Sequence, residues 1–171
     1  MWPNLAKSLP KVGAELQLLT VEPPRGTYPG RLDDKGRVKL PATFQLFLNS
    51  LREKKLFVTS IDRRIARIYP IEVWRQNEEF FETYREDPAL AQSVAFNASD
   101  LGAECEMDGS GRVLFSPELR RELGIENQPV HMFFYKKRIE VLSEAEYAER
   151  RSQASQITRE GISKLEAAGL N

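Results

Sequence analysis

The chain is poor in the residues on which most catalytic, metal-binding and disulfide chemistry depends. Its 171 residues include one cysteine, Cys105, and one histidine, His131. A single cysteine excludes an intrachain disulfide and a cysteine-rich zinc site, and it fits a reducing compartment. There is also no phosphate-binding glycine loop, no nucleophile elbow and no metal-ligand spacing. The sequence therefore predicts a protein that is not an enzyme and needs no cofactor, and nothing in it points to a small-molecule ligand.

Long apolar runs are missing as well. No stretch approaches the roughly 20 residues that cross a bilayer. The first ten residues carry Pro3 and Pro10 where a signal peptide needs an apolar centre. We therefore expect a cytoplasmic protein with no membrane partner.

An excess of charge of either sign is absent from the chain as a whole, but not from its parts. The 25 basic and 25 acidic residues cancel, which argues against a simple polycation that coats nucleic acid. Residues 27–74, however, carry ten basic against five acidic side chains, a net charge of +5. Residues 75–102 have a net charge of −4 and residues 103–146 one of −3. If the protein binds a polyanion, we expect the first of these segments to face it.

The most informative pattern that is present occurs twice, 75 residues apart. The first signature (residues 33–38) reads Asp-Asp-Lys-Gly-Arg-Val, and the second signature (residues 108–113) reads Asp-Gly-Ser-Gly-Arg-Val. Each is followed by a proline-led helical stretch and two short strand-like runs, which predicts an internally duplicated domain. A repeat of about 45 to 50 residues buries too little surface to be comfortably stable alone, so we expect the repeats to share a core or to assemble further.

Both copies predict the same order of elements. In the first, residues 27–32 read as a strand, 33–36 as a turn and 37–40 as the return strand, with Arg37 and Lys39 on the solvent face. Pro41 suits the first turn of a helix, and a second hairpin follows at 55–59 and 65–69. A helix at 71–86 and a short helix or linker at 89–102 lead to the second copy.

The second copy adds clear helix boundaries. Strands are predicted at 104–107, 112–115, 130–134 and 139–142. Ser116 is a good N-cap, and Gly124 a plausible helix stop. A capping box at Ser143 predicts a further helix that runs to about residue 165. His131, Cys105 and most phenylalanines, including Phe80, are interpreted as packing side chains.

The residues around the two signatures resemble the MraZ family of bacterial transcriptional regulators, whose two halves are SpoVT/AbrB-type domains. The first match is Gly26-Thr27-Tyr28 with residues 32–41, and Tyr69-Pro70 with Trp74 resembles the way that repeat closes. The second match comprises residues 104–112 with their continuation at 117–120 and 124–125. The resemblance covers roughly residues 26–147. It departs from the family at Gly30 and Arg31, where a histidine is frequent, and it leaves residues 1–25 unexplained.

The resemblance implies an α+β fold, a duplicated SpoVT/AbrB-like swapped-hairpin β-barrel that forms within one chain, with additional helices. The corresponding division of the chain is an N-terminal extension (1–26), repeat 1 (27–74), a helical connector (75–102), repeat 2 (103–146) and a C-terminal helical tail (147–171).

The resemblance also implies a function. Members of the family form closed rings and bind double-stranded DNA at tandem short G-rich boxes upstream of the division and cell-wall gene cluster that contains their own gene, usually repressing it. The implied localisation is cytoplasmic and nucleoid-associated. We expect the first signature to make most of the DNA contacts, through Arg37, Lys35, Arg31 and Lys39, and we expect Arg112 to act more in structure than in DNA contact. Asp33, Gly36, Asp108 and Gly111 are the expected structural residues of the motif.

Other interpretations stay open from the sequence alone. An Asp-x-Gly turn with a nearby arginine is in isolation usually just a hairpin. The chain has the features of an AbrB-like oligomer that binds a protein, as an antitoxin binds its toxin, although an antitoxin normally has one such motif and a disordered tail. A paralogue that assembles but has lost DNA binding also fits a net charge of zero.

Overall fold

Eight strands and six helices make up residues 21–171, the part of the chain that the computed structural model describes. The predicted N-terminal extension therefore lies largely outside the described residues. The first copy contributes β1 (Thr27–Arg31), β2 (Arg37–Lys39), α1 (Ala42–Ser50), β3 (Lys55–Thr59) and β4 (Ala66–Pro70), followed by α2 (Ile71–Thr83) and α3 (Pro88–Leu101). The fold is of the α+β class.

The second copy repeats this order. Its elements are β5 (Ala103–Glu106), β6 (Arg112–Leu114), α4 (Pro117–Leu123), β7 (Pro129–Tyr135) and β8 (Arg138–Ser143), followed by α5 (Glu144–Ala154) and α6 (Arg159–Ala167). Apart from the C-terminal helix, the predicted strands and helices are thus confirmed to within a few residues at their ends. The choice between helix and linker before the second copy is settled as a helix, α3.

The predicted helix boundaries are confirmed where capping chemistry is strong. The Ser116 hydroxyl accepts a hydrogen bond from the Leu119 amide, and Gly124 adopts a left-handed conformation after α4. Pro41, in contrast, is the N-cap of α1 and not a residue of its first turn. The prediction of one C-terminal helix is wrong. The chain leaves the helix after Ala154, and the Thr158 side chain then accepts from the Gly161 amide and starts α6.

The hairpin expected within each signature is wrong, although its turn is present. The Asp33 amide donates to the Arg37 carbonyl at 2.9 Å, as a hairpin requires. Beyond a single bridge between Leu32 and Val38, however, β1 pairs with β7 and β2 pairs with β6. The second copy behaves in the same way, since β5 pairs with β3. The strands that flank each turn therefore separate and join strands of the other copy.

This exchange gives the sheet a symmetric strand order. The six-stranded sheet runs β1-β7-β8-β4-β3-β5, and β2 and β6 form a separate two-stranded ribbon. When each strand is replaced by its counterpart in the other copy, the result is the same strand order counted from the opposite edge of the sheet. Among residues 21–171, β1 and β5 form the two edges of the sheet.

The core lies between the inner face of this sheet, the ribbon and helices α1 and α4. Val38 and Val113 pair across the ribbon, and both are fully buried. The other large buried side chains come from both copies: Leu32, Leu40, Phe44, Leu56, Ile68, Phe115, Leu119, Met132 and Ile139. Complete burial of such a side chain contributes about 1.5 to 3 kcal/mol, so the shared core is what joins the two copies.

Helices cover the opposite face of the sheet. Trp74 of α2 packs on Phe57 and Tyr69, with ring centroids 4.5 and 5.1 Å away. On the other half of this face, Tyr147 of α5 stacks on His131 at 3.7 Å, which confirms His131 as a packing residue. The same expectation is wrong for Phe80, which lies on the outer side of α2 and is 53% exposed.

Cys105 of β5 packs against the edge of the core, as expected for a small apolar residue. Burial raises the pKa of its thiol to about 11, so the thiol is protonated at neutral pH. Within residues 21–171, no helix has both the length and the apolar character needed to cross a membrane.

Candidate functional site

The first signature is a turn that its own acid and arginine hold closed. Asp33 Oδ1 accepts the backbone amides of Lys35 at 3.0 Å and of Arg37 at 2.8 Å. Its second oxygen, Oδ2, accepts Nε of Arg37 at 2.9 Å and lies 2.8 Å from Nη2 of the same guanidinium. One carboxylate therefore fixes both the backbone of the turn and the orientation of the Arg37 side chain.

The second signature repeats this geometry. Asp108 Oδ1 accepts the amides of Ser110 at 2.9 Å and of Arg112 at 3.0 Å, and Oδ2 accepts Nε of Arg112 at 2.8 Å. The backbone hydrogen bond from the arginine four residues later is the largest influence on the pKa of each acid, and it lowers the pKa of both Asp33 and Asp108. Both carboxylates are therefore ionised at neutral pH.

Both turns also depend on a glycine with a positive φ, 79° at Gly36 and 76° at Gly111. A side chain at either position would be strained, since the left-handed region favours glycine. A Cβ at Gly36 would also overlap the guanidinium of Arg120, and a Cβ at Gly111 would overlap the carboxamide of Gln45.

The ribbon brings the two signatures onto one surface, which the sequence did not reveal. Lys39 pairs with Arg112, and Arg37 pairs with Leu114. These four residues alternate with the buried Val38 and Val113, so they belong to the outer face of the ribbon. The Phe115 amide donates to the Gly36 carbonyl and the Leu40 amide to the Gly111 carbonyl, so the two turns lie at opposite ends of the ribbon. Arg112 thus has a cationic neighbour from the first copy, since Lys39 lies directly across the ribbon from it.

Of the remaining predicted contact residues, Arg31 and Lys35 lie beside or on the first turn, and Lys39 lies at the end of the ribbon near the second turn. Lys35 is exposed within the turn, and Lys39 is exposed on the ribbon. Arg31 is exposed at the end of β1, where its Nη1 donates to the Asn127 carbonyl at 2.7 Å. The structure therefore groups Arg31, Lys35, Arg37 and Lys39, and it adds Arg112 from the other copy.

Much of the positive charge counted along the first copy is neutralised elsewhere. Arg63 pairs with Asp100 at 2.6 Å, and Arg64 pairs with Glu146 at 3.0 Å. Arg67 is buried and contacts Asp62 at 2.9 Å. Arg63 and Arg64 therefore join the loop between β3 and β4 to helices, and Arg67 pairs with an acid of that same loop, so these three cations add little to the basic surface.

Two residues at the site were missed by sequence reasoning, namely Arg120 on α4 and Gln45 on α1. They occupy equivalent positions of the two copies, because they are 75 residues apart, as the two signatures are. An alignment of the two copies at this offset would have paired Gln45 with Arg120. Among residues 21–171, no group of three or more histidine, cysteine or acidic side chains is placed to hold a metal ion.

The sequence has clear relatives among known proteins, although no family model matches it. A protein of Koribacter versatilis is 30% identical over 147 residues, which are 85% of this chain and 99% of that relative. A protein of Acidobacterium capsulatum is 35% identical over 57% of this chain and 66% of its own length. A protein of Nitrosospira multiformis is 34% identical over 62% of this chain and 72% of its own length. All three are named Transcriptional regulator MraZ.

Fold and site together define a class of protein with two interleaved repeats whose Asp-x-x-x-Arg turns occupy the two ends of one ribbon. The similarity to the Koribacter protein extends over both repeats and nearly the whole relative. The chain belongs to the MraZ family.

Proposed function

We propose that this protein is a sequence-specific DNA-binding transcriptional regulator. In this proposal it assembles into a ring, binds tandem short G-rich boxes and represses the division and cell-wall gene cluster that includes its own gene. Its place is the cytoplasm, in association with the nucleoid. The proposal includes the swapped-hairpin barrel of SpoVT/AbrB-type domains, which the exchange of strands between the two copies supports.

The observation that carries the proposal is the group of cations on the ribbon and the first turn. Arg31, Lys35, Arg37, Lys39 and Arg112 come together around two short strands, although two separate parts of the chain supply them. A two-stranded ribbon is narrow enough to enter the major groove of DNA. Neutralisation of phosphates by such cations supplies much of the affinity of DNA-binding proteins.

The pair of Asp33 and Arg37 suits this role because it orients the arginine without holding it strongly. The Arg37 side chain is 26% exposed and that of Asp33 is 33% exposed. An ion pair near the surface is worth only about 0 to 1 kcal/mol, so a phosphate or a guanine edge can replace Asp33 as partner at little cost. Arginine is well suited to either target, since its planar fork matches phosphate oxygens and the O6 and N7 atoms of guanine.

Assembly into a ring would compensate for the small DNA-binding surface of a single protomer. Specific DNA binding generally uses a larger interface than one ribbon provides. Repetition of the same weak site on tandem boxes raises the overall affinity without new contacts at each site.

Binding to G-rich DNA tests the proposal. We expect the protein to retard a duplex with tandem G-rich boxes more than a scrambled duplex, with an affinity that falls steeply as salt rises. Arg37→Ala should weaken this binding at least about tenfold and leave the oligomer intact, because one guanidinium contact to DNA is lost. Arg159→Ala, which removes the same charge from the exposed helix α6, is the control and should bind as the wild type does.

Two outcomes would change the proposal. A wild-type protein without preference for the G-rich duplex at moderate salt contradicts sequence-specific binding, and it favours the interaction-protein or paralogue alternative. Arg112→Ala is expected to cost less than Arg37→Ala, because the second turn has Ser110 where the first has the cation Lys35. An equal loss would show that both ends of the ribbon contact DNA.

A further inference from the structure

The turn between β7 and β8 presents two cations that have no partner in the described chain. Lys136 and Lys137 are its central residues, and both are exposed. Neither forms a salt bridge with any residue of 21–171. Tyr135, which precedes them, is 44% exposed, and Nζ of Lys136 lies 5.3 Å from the centre of its ring. We call residues 136–137 the lysine turn.

The lysine turn adopts a backbone conformation that lysine disfavours. Tyr135 pairs with Arg138, so only two residues connect the strands, and φ is 46° at Lys136 and 66° at Lys137. Two-residue turns of this kind favour Asn-Gly, because most side chains are strained in the left-handed region. Such strain is found mainly where it serves a function. The two lysines therefore destabilise their own turn, which indicates that their charges have a role.

The outer side of α2 carries negative charge at a similar local cost. Glu78, Glu79 and Glu82 are exposed there, and none of them pairs with a cation of the described residues. Glu78 and Glu82 are a like-charge pair one turn apart, which destabilises a helix. The last turn of α2 has no basic residue, so these acids also oppose the helix dipole.

An exposed aromatic side chain lies among these acids. Phe80 is 53% exposed, and its ring stacks on that of Tyr84 with the centroids 5.1 Å apart. We call this surface, which comprises Glu78, Glu79, Phe80 and Glu82, the acidic face of α2. It combines carboxylates with an aromatic ring, and both attract a lysine ammonium group.

The lysine turn and the acidic face lie apart on one protomer. Phe81 of α2 lines a surface cleft together with Glu104 of β5, and β5 lies three strands from β8. Because neighbouring strands are about 4.8 Å apart, roughly 15 Å of sheet separates the two surfaces. Two unlike surfaces at separate places on a protomer suit head-to-tail association, which forms closed rings when the rotation between protomers allows it.

The lysine turn also lies away from the first signature. Arg31, beside that signature, pairs with Pro129 at the beginning of β7, whereas the lysine turn follows the end of β7. The seven residues of β7 span about 20 Å. The lysine turn is therefore outside the surface that we expect to make most of the DNA contacts.

We propose that the lysine turn of one protomer binds the acidic face of α2 on the next protomer, and that this contact joins copies of the chain into the ring. The inference rests on the ring assembly in the proposed function, and it names the surfaces that form it. The lysines pair with the glutamates and lie against Phe80. The contact relieves the repulsion among the acids, and the net charge of zero means that whole protomers do not repel each other.

Charge reversal in the full chain tests this contact. We expect Lys136→Glu with Lys137→Glu to weaken assembly at least about a hundredfold, because like charges then face each other. Glu78→Lys with Glu82→Lys should have the same effect. All four substitutions in one chain should restore assembly, since opposite charges meet again. Size-exclusion chromatography with light scattering, over a range of protein and salt concentrations, measures the assembly, and circular dichroism checks the fold.

Two further variants serve as controls. Arg159→Glu with Lys164→Glu makes the same change of charge on the exposed helix α6 and should assemble as the wild type does. Lys136→Asn with Lys137→Gly removes the charges and supplies the residues that the turn favours. This variant should keep the fold and assemble at least about tenfold more weakly. It decides the question if a charge-reversed variant does not fold, and its assembly as wild type overturns the inference.

The outcomes separate this inference from the proposed function. A wild-type protein that stays monomeric at every concentration overturns both the ring and the inference. A wild-type ring that forms equally well from both charge-reversed variants overturns the inference alone. The Asn-Gly variant should also bind a duplex with a single G-rich box as the wild type does. A loss of that affinity with unchanged assembly would make the lysine turn a DNA contact, and it would overturn the inference.

Discussion

At the scale of single residues, the glycines of the two signatures serve a second purpose besides their backbone conformation. The pattern Gly-Arg after an acidic turn is enough to predict a tight turn at Gly36 and at Gly111. It does not predict that Arg120 and Gln45 fill the space left by the missing side chains, because those residues lie on helices whose position depends on the exchanged strands. The two turns could therefore be predicted from the sequence, whereas the packing of Arg120 and Gln45 against them could not.

Gly36→Ala tests the requirement for glycine. We expect a loss of about 1 to 2 kcal/mol in the free energy of unfolding, because an alanine at a φ of 79° adopts a left-handed conformation. Part of the overlap with the flexible end of Arg120 can be relieved by movement of that side chain. Urea unfolding at equilibrium provides the measurement.

Gly109→Ala is the matched control for this prediction. Gly109 is exposed in the second turn, and an added Cβ has no heavy atom within 4 Å. Its effect should stay within about 0.5 kcal/mol, as for most surface substitutions. Equal losses of stability for Gly36→Ala and Gly109→Ala would contradict the specific requirement for glycine at residue 36.

At the scale of elements, the sequence predicts the strands well but not the partners of those strands. Alternation of side chains correctly indicates that Val38 is buried and that Arg37 and Lys39 face outward. The nearest return strand is the default partner across a short turn, yet β2 pairs with β6, 75 residues away. Both arrangements satisfy the same local hydrogen bonds of Asp33, so only the packing of the whole core decides between them. This explains why the turn is confirmed while the hairpin is wrong.

Two helix caps with similar hydrogen bonds should differ in their effect on stability. The Ser116 hydroxyl accepts from the Leu119 amide and donates to the Leu101 carbonyl at 2.9 Å, so it joins α4 to the end of α3. We expect Ser116→Ala to cost about 1 to 2 kcal/mol. Thr158 caps α6, whose residues are all exposed except for the partly buried Ile162.

Thr158→Ala should therefore leave global unfolding almost unchanged and reduce only the helical signal of α6. Thermal unfolding followed by far-ultraviolet circular dichroism distinguishes the two variants. An equal loss of stability at Thr158 would mean that α6 packs against something in solution, such as a neighbouring protomer.

At the scale of the whole molecule, neither repeat contains its own sheet. Of the six strand pairings in the described chain, those of β3 with β4 and of β7 with β8 stay within one copy, and the other four join the copies. We expect residues 21–87, expressed alone, to be unfolded or dimeric and not a folded monomer. An equimolar mixture with residues 88–171 should recover the fold. Size-exclusion chromatography with circular dichroism measures both effects, and a folded monomeric fragment would contradict the expectation.

The two edges of the sheet limit how copies of this protein can associate. One edge strand, β1, contains Pro29, which has no amide hydrogen to donate to an added strand. The other, β5, carries the exposed acids Glu104 and Glu106. Short edge strands with proline or charged side chains resist pairing with a strand of another molecule. Within residues 21–171, both edges of the sheet are therefore guarded against aggregation by sheet extension.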